Sequence, residues 1–247
     1  MTMQDYIKGE RFSELADNRK VFYCSTHSLP NFLQNVPDDP FVLITHNSDH
    51  KIHESYKIPD NLIHWFAQNV DKVDPRIESI PIGLENDKWF RAERKKEKMI
   101  VKLTQPRGFH NMVYFNCNID TNPNERLLPF VLFKDKPWCT AKKGCNGQGF
   151  DEYLNDLYNH PFVISPEGNG IDTVRTWECL YMGTIPIEKR NINNQFYTDL
   201  PILFVDAWEE ITESLLQDEY ERIIHTQWNL EKLNFSYWKN KILSYDK

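Results

Sequence analysis

The sequence predicts an α/β protein with mostly parallel sheets, and three observations carry that expectation. Short apolar strands alternate with helical stretches. The strands end in polar residues. A charge-rich joint, Asp87–Lys98, divides the series into two. Two Rossmann-like halves facing a central cleft follow: residues 1–98 form the first and 99–247 the second, with C-terminal helices that can pack back on the first.

In the first half, Lys20–Thr26 (KVFYCST) and Phe41–Thr45 (FVLIT) are the clearest strands, followed by Asn61–Ala67 and Glu78–Ile82. They run into His27, then His46, Asn47, Ser48 and Asp49, then Gln68 and Asn69, then Gly83. In open parallel sheets ligands bind beyond the carboxyl ends of the strands, so these endings are candidate chemistry. The joint reads as a surface connection. Its basic run, Arg91–Lys98, is interrupted by Glu93 and Glu97 and reads as the solvated face of a helix or a loop. In the second half, Met112–Asn116 is a strand and Asn124–Phe133 a helix disturbed by Pro129. Lys134–Gly149 is a loop and Phe150–Tyr158 an amphipathic helix. A strand–turn–helix–strand unit follows over 162–188, then a strand at Ile202–Val205 and helices from Trp208.

Composition narrows the function classes. A chain of 247 residues with 40% hydrophobic content can bury a sizeable core. Its net charge of −7 disfavours a general nucleic-acid binder. The five cysteines are dispersed and lack zinc-type spacing. Cys24, Cys117 and Cys179 sit in apolar patterns and read as buried thiols, while Cys139 and Cys145 bracket a loop where a pair stays open. A reducing, cytoplasmic setting fits. No apolar signal core opens the chain, and its longest apolar stretches, such as Leu127–Phe133, are too short to span a bilayer.

The most informative segment is FVISPEGNGIDTVRTWECLYMGTIPIE, Phe162–Glu188. A strand, Phe162–Ser165, is stopped by Pro166. Gly168 and Gly170, on either side of Asn169, let the backbone bend and approach a ligand. Asp172 can cap the following helix, near Thr173, and the helix start favours an anion. Arg175 and Glu178 share a helix face, one suited to a phosphate and the other to ribose hydroxyls. The pattern is neither GxGxxG nor a P-loop. Two readings stay open on spacing: a nucleotide site, or one of the many strand-to-helix turns that bind nothing. Trp177, Leu180 and Tyr181 recur at helical spacing and belong to the core.

This segment resembles the donor-binding region of exostosin-like glycosyltransferases, in which a Pro/Gly turn precedes an Arg, a Glu three residues later and a Gly-x-x-Pro strand. The matching residues here are Pro166, Gly168, Arg175, Glu178, Gly183 and Pro186. ITHNSD (Ile44–Asp49), WFAQN (Trp65–Asn69), IPIGLEN (Ile80–Asn86) and TNPNER (Thr121–Arg126) are similar to segments of soluble bacterial and viral members. The resemblance implies a GT-B fold and inverting transfer of a sugar from a nucleotide donor, usually UDP-linked, to a glycan hydroxyl. A small-sugar donor such as UDP-xylose lies within the family's range. Glu167 departs from what a diphosphate would favour, unless it points at sugar hydroxyls or solvent.

Such a reaction needs a base for the acceptor proton and a group to stabilise the leaving diphosphate. With no Asp-x-Asp in the chain, transfer without a metal cofactor is expected. The candidate bases are Asp49 and His27, then His46; a helix cap at Asp49 and a helix start at His27 are the plainer readings. Asn47, Gln68 and Asn69 fall on the acceptor side. Ser165, Glu167, Gly168, Asn169, Gly170, Asp172, Thr173, Arg175 and Glu178 fall on the donor side, with Asn116 and Arg126, and with Thr121 and Asn122 nearby. Trp138 either stacks a ligand or fills the core. Two rivals stay open: a fucosyltransferase-like enzyme using GDP-fucose, and a non-catalytic nucleotide- or sugar-binding module. Expected partners are thus a nucleotide sugar and a glycan, with no nucleic acid and no membrane segment.

Overall fold

The computed structural model describes residues 3, 5–90, 94–144 and 149–245. It is an α/β protein with two parallel sheets. The first joins β1 (Val21–Ser25), β2 (Phe41–His46), β4 (Leu62–Ala67) and β6 (Ile77–Ser79), side by side in chain order. A two-stranded parallel ribbon, β3 (Ile52–His53) with β5 (Val70–Asp71), lies in the intervening connections. The second sheet contains β7 (Val113–Cys117), β8 (Cys139–Lys143), β9 (Phe162–Ile164), β10 (Ile185–Lys189) and β11 (Leu203–Val205), in the order β8-β7-β9-β10-β11. Counted within that half the order is 2-1-3-4-5, the doubly wound arrangement whose direction reverses between its first and third strands. The reversal falls between the carboxyl ends of β7 and β9, where Asn116 and Ser165 sit.

Side-chain alternation along the strands sorts the interior into three cores. Phe41, Leu43, Trp65 and Ala67 face an outer core of the first half. Val113, Phe115, Phe162, Ile164, Ile185 and Ile187 face an outer core of the second. The alternate residues Val42, Ile44 and Phe66, with Tyr114 and Val163, meet in one central core shared by both halves. Both faces of each sheet are covered, which is why the strands read as nearly continuous apolar runs. Trp177, Leu180 and Tyr181, on α7 (Val174–Tyr181), are buried in the central core, and Trp138 is buried against Phe133 in the outer core of the second half.

Several elements depart from expectation, among them the strand expected at Glu78–Ile82, which forms over Ile77–Ser79. The region read as a loop carries edge strand β8, whose sequence CTAKK has none of the apolar density of a central strand; edges are often charged in this way. The joint read as a surface connection holds two helices, α3 (Asp87–Phe90) and α4 (Lys95–Leu103). Met99 is fully buried, and Lys95 is buried with its ammonium paired to Glu85 rather than solvated. The helix α5 (Pro123–Phe133) runs through Pro129. The helix α6 (Phe150–Tyr158) has the predicted bounds. Cys24, Cys117, Cys139 and Cys179 are free thiols; Cys145 lies outside the described residues.

The last helix, α9 (Phe235–Ser244), follows α8 (Glu213–His225) and packs on the first half. The Phe235 ring sits 5.3 Å from that of Phe12, the backbone N–H of Ser236 donates to the Asp5 carboxylate at 2.8 Å, and Lys241 pairs with Glu78. The halves are tied elsewhere too. The Asn193 carboxamide oxygen accepts from the Val70 N–H at 2.9 Å and from the Ser79 hydroxyl at 2.7 Å, and Ser79 also bonds Tyr197 at 2.8 Å. Between these ties lies a small pocket. Among the described residues no helix is long and apolar enough to cross a membrane.

Candidate functional site

The pocket has a volume of about 250 Å³. It opens beyond the carboxyl ends of the first sheet. His46, Asn47, Ser48 and Asp49 follow β2, Gln68 follows β4, and Ile82, Leu84, Glu85 and Asn86 follow β6; Gly9 closes one side and Val174, the first residue of α7, the other. The start of a second-half helix thus faces the strand ends of the first half.

The structure separates the three candidate bases. Asp49 is exposed, lines the pocket and has no hydrogen-bond or ion-pair partner among the described residues. His27 lies in a short 3-10 turn, Thr26–Ser28, exposed beside His50 at 3.4 Å and outside the pocket lining. His46 is buried, and burial lowers its pKa to about 4. Its Nε2 contacts the Pro81 carbonyl at 2.9 Å, and its Nδ1 accepts from the Asn47 N–H at 2.7 Å. A carbonyl cannot donate, so the proton sits on Nε2 and the Nδ1 lone pair is already engaged. His46 therefore braces the loop and is not a free base.

The three acceptor-side amides also differ. Asn47 adopts a left-handed backbone (φ 57°); its amide donates to the Tyr23 hydroxyl and accepts from Asn86. Asn69, also left-handed at φ 60°, is fully buried: it donates to the Ser48 carbonyl at 3.0 Å and accepts from the Asp172 N–H at 2.8 Å. It is a tie between the halves, not a ligand contact. Gln68 is 1% exposed, and its Oε1 has no hydrogen-bond partner.

The glycine-rich turn differs from its expected role. Neither Gly168 nor Gly170 has a positive φ. A Cβ on Gly168 would lie 2.9 Å from an Arg126 guanidinium nitrogen, and one on Gly170 would lie 2.7 Å from the Asn69 amide. The glycines therefore make room for protein side chains. Arg126 donates to the Glu167 and Asn118 carbonyls, each at 2.9 Å, and Asn122 donates to the Gly168 carbonyl at 2.8 Å. Ser165 bonds Thr173 and Thr176 through its hydroxyl. Asn169 alone in this stretch is exposed. Asp172 does not cap α7: Thr173 occupies that position, and the Asp172 carboxylate reaches across to the Ile82 N–H at 2.7 Å and to the Trp177 indole at 2.8 Å. Burial, with the nearby Glu188 charge, pushes its pKa up to about 7.

Arg175 occupies the reversal point of the second sheet, where its guanidinium donates to the Asn116 carbonyl; its Nε is buried with no partner. Asn116 is itself buried and donates to the Tyr114 hydroxyl at 2.8 Å. Glu178 accepts from the Tyr153 hydroxyl at 2.7 Å, and burial, with Glu85 nearby, raises its pKa to about 7. Its carboxylate is thus turned toward α6 rather than presented to a ribose.

Glu167 faces the first half. Its carboxylate lies 3.6 Å from the Lys51 ammonium and accepts weakly from Asn191 at 3.4 Å, and burial raises its pKa. Behind it Glu188 accepts from Thr176 and Asn194; burial pushes it up to about 7. Sequence reasoning missed Tyr153, Lys51 and Glu188 because each reaches the site from a different element. Glu85 and Asn86 lay within a quoted segment, IPIGLEN, without a role. No three His, Cys, Asp or Glu side chains among the described residues are grouped to hold a metal ion.

No protein-family model matches the chain, and no curated protein matches it.

Proposed function

We propose that the chain is an inverting glycosyltransferase of GT-B kind that moves a sugar from a nucleotide donor, of UDP type, to a hydroxyl of a glycan acceptor. The observation that carries this is the placing of an exposed, unpaired carboxylate, Asp49, in an inter-half pocket opposite the start of α7. In the reaction Asp49 takes the proton of the acceptor hydroxyl. The acceptor oxygen attacks the anomeric carbon from the face opposite the diphosphate, and the bond to the diphosphate breaks with the electron pair leaving on the diphosphate oxygen. The free N–H groups of α7 and the Arg175 guanidinium then meet the charge that develops. The unpartnered Arg175 Nε supports an anion beside it. The absence of an Asp-x-Asp supports a transfer carried by these groups.

A second reading has an observation in its favour. Arg126, Ser165, Thr173, Asp172 and Glu178 are engaged with other protein groups, which weighs against their taking part in a transfer and leaves binding by the inter-half pocket alone. One experiment separates the two. A panel of nucleotide sugars is screened by thermal shift, and nucleotide release is then followed with glycan acceptors, with and without EDTA. Transfer is expected with a UDP-sugar, undiminished by EDTA, and Asp49→Asn should lower turnover about 100-fold or more without changing melting temperature. Stabilisation by nucleotide with no transfer favours the module. Stabilisation by no nucleotide, with Arg175→Ala unaltered, ends both readings; stabilisation by GDP rather than UDP redirects the donor to the fucose type.

A further inference from the structure

We infer that the inter-half pocket recognises an uncharged, hydroxyl-rich ring and discriminates against the same ring bearing a carboxylate. Naming that ring the acceptor rests on the transfer reading above; the recognition chemistry does not. Beside Ser48 and His46, whose ring nitrogens are engaged with the protein, the polar lining is made of carboxamides and carboxylates: Asn47, Gln68 and Asn86 with Asp49 and Glu85. Among the described residues no Lys or Arg lines it. Asn47 and Asn86 bond each other, the Tyr23 hydroxyl and the Glu10 N–H, and each keeps a second amide hydrogen and a second lone pair; with the carboxylates, which accept, they match hydroxyls, which do both.

Charge points the same way. Glu85 is paired with Lys95, which among the described residues leaves the Asp49 carboxylate as the uncompensated full charge at the wall. Opposing it, the start of α7 contributes about half a positive charge. A carboxylate-bearing ring therefore meets a net negative wall, whereas an uncharged ring keeps the hydroxyl contacts and suffers no repulsion.

Gln68 is the second, independent observation. It is 1% exposed and its Oε1 lacks any donor in the structure. A buried acceptor without a partner is costly, and a hydroxyl donating to it removes that cost. The pocket, at about 250 Å³, lies just below the range of about 300–1,000 Å³ usual for drug-sized ligands, which suits one ring rather than an oligomer.

The test uses the full chain without donor. Binding of methyl glucoside, methyl galactoside, methyl xyloside and the methyl glycoside of glucuronate is measured by ligand-observed NMR. At least one neutral glycoside should bind about tenfold more tightly than the glucuronate. Gln68→Met should weaken the neutral ligand about fivefold. Asp49→Asn should narrow the gap between neutral and acidic rings. Equal or tighter binding of the glucuronate, failure of every neutral glycoside at millimolar concentration, or Gln68→Met without effect would overturn the inference. The two proposals fail separately: neutral binding without any sugar transfer removes the transferase and keeps this pocket, whereas transfer to acidic acceptors alone removes this pocket and keeps the transferase.

Discussion

Two polar regions of this molecule carry similar residue types and use them differently. The strand ends of the first half and the glycine-rich turn of the second are both rich in Asn, Asp, Glu and Gly. In the turn, Arg126, Asn122, Ser165, Thr173 and Asp172 bond to carbonyls, hydroxyls and N–H groups of the protein itself. At the strand ends, Gln68 keeps an unpartnered oxygen and Asp49 stands exposed beside a cavity. Residue type therefore locates polar regions, while the state of their hydrogen bonds says which of them is available to a ligand.

The largest effect that tests this contrast is on stability. Arg126 is buried and holds two carbonyls from separate segments. Arg126→Met strands the Glu167 carbonyl, at about 1–3 kcal/mol for a group left unsatisfied, and takes from the Asn118 carbonyl the shorter of two bonds, leaving the Thr121 N–H at 3.3 Å. A total on the order of 3 kcal/mol would lower the melting temperature by roughly 10 °C in a chain of this size. Gln68→Met deletes an amide that already lacks a bond at its oxygen, so its melting temperature should stay near that of the parent. Equal losses from the two substitutions, read by calorimetry, would dissolve the distinction between the regions.

That distinction also marks how far the sequence could be read. The apolar strands of the two larger sheets, α6 and the buried stripe Trp177, Leu180 and Tyr181 were legible because a repeating apolar pattern reflects burial directly, whereas the two-residue strands β3 and β5 are too short to show one. Edge strand β8 was not, and for the run that enters α4 a helix and a loop stayed open and its burial was missed, since polar and charged residues resemble solvated segments until their neighbours are known. For the candidate site, sequence identified the loops and not the direction of each side chain. Asp172 looked like a cap and instead reaches Ile82, ninety positions earlier. Gly168 and Gly170 looked like room for a ligand and are room for Arg126 and Asn69. Those partners arrive by tertiary packing, and no local spacing encodes them.

A smaller effect concerns the buried acids near the turn. Glu178 has a pKa raised to about 7 in the fold, against an ordinary value of 4.5. Between these values the native state holds a proton that the unfolded chain has released, so stability falls as pH rises through this window and stays low above it. The share of Glu178 is on the order of 3 kcal/mol at most. His46 acts in the opposite sense: its pKa is lowered to about 4, so its contribution is gained as pH rises from about 4 to 6.5. Glu178→Gln leaves His46 unchanged, so the difference between parent and variant isolates the acid. The variant should match the parent near pH 4 and exceed it at pH 8, in urea melts across that range. A constant difference at every pH would mean that Glu178 is ionised throughout and that the turn region is wetter than the fold implies.

The smallest effect falls where the two regions meet, at Glu167. Its pairing with Lys51 is long, at 3.6 Å, and the side chains are 24% and 42% exposed. A pair of that kind contributes about 0–1 kcal/mol, so Glu167→Gln should barely move the melting temperature. Its effect on nucleotide binding has a definite sign under each role. An acid beside a diphosphate repels it, and neutralising that acid should tighten UDP binding a few-fold, with the gain shrinking as salt is raised. An acid that accepts hydroxyls of the transferred sugar should leave UDP unchanged and weaken the UDP-sugar instead. Calorimetric titration of both ligands into parent and variant distinguishes these cases. A weaker UDP complex in the variant would contradict both roles and make Glu167, through Lys51, a strut that holds the first half in place over the donor turn.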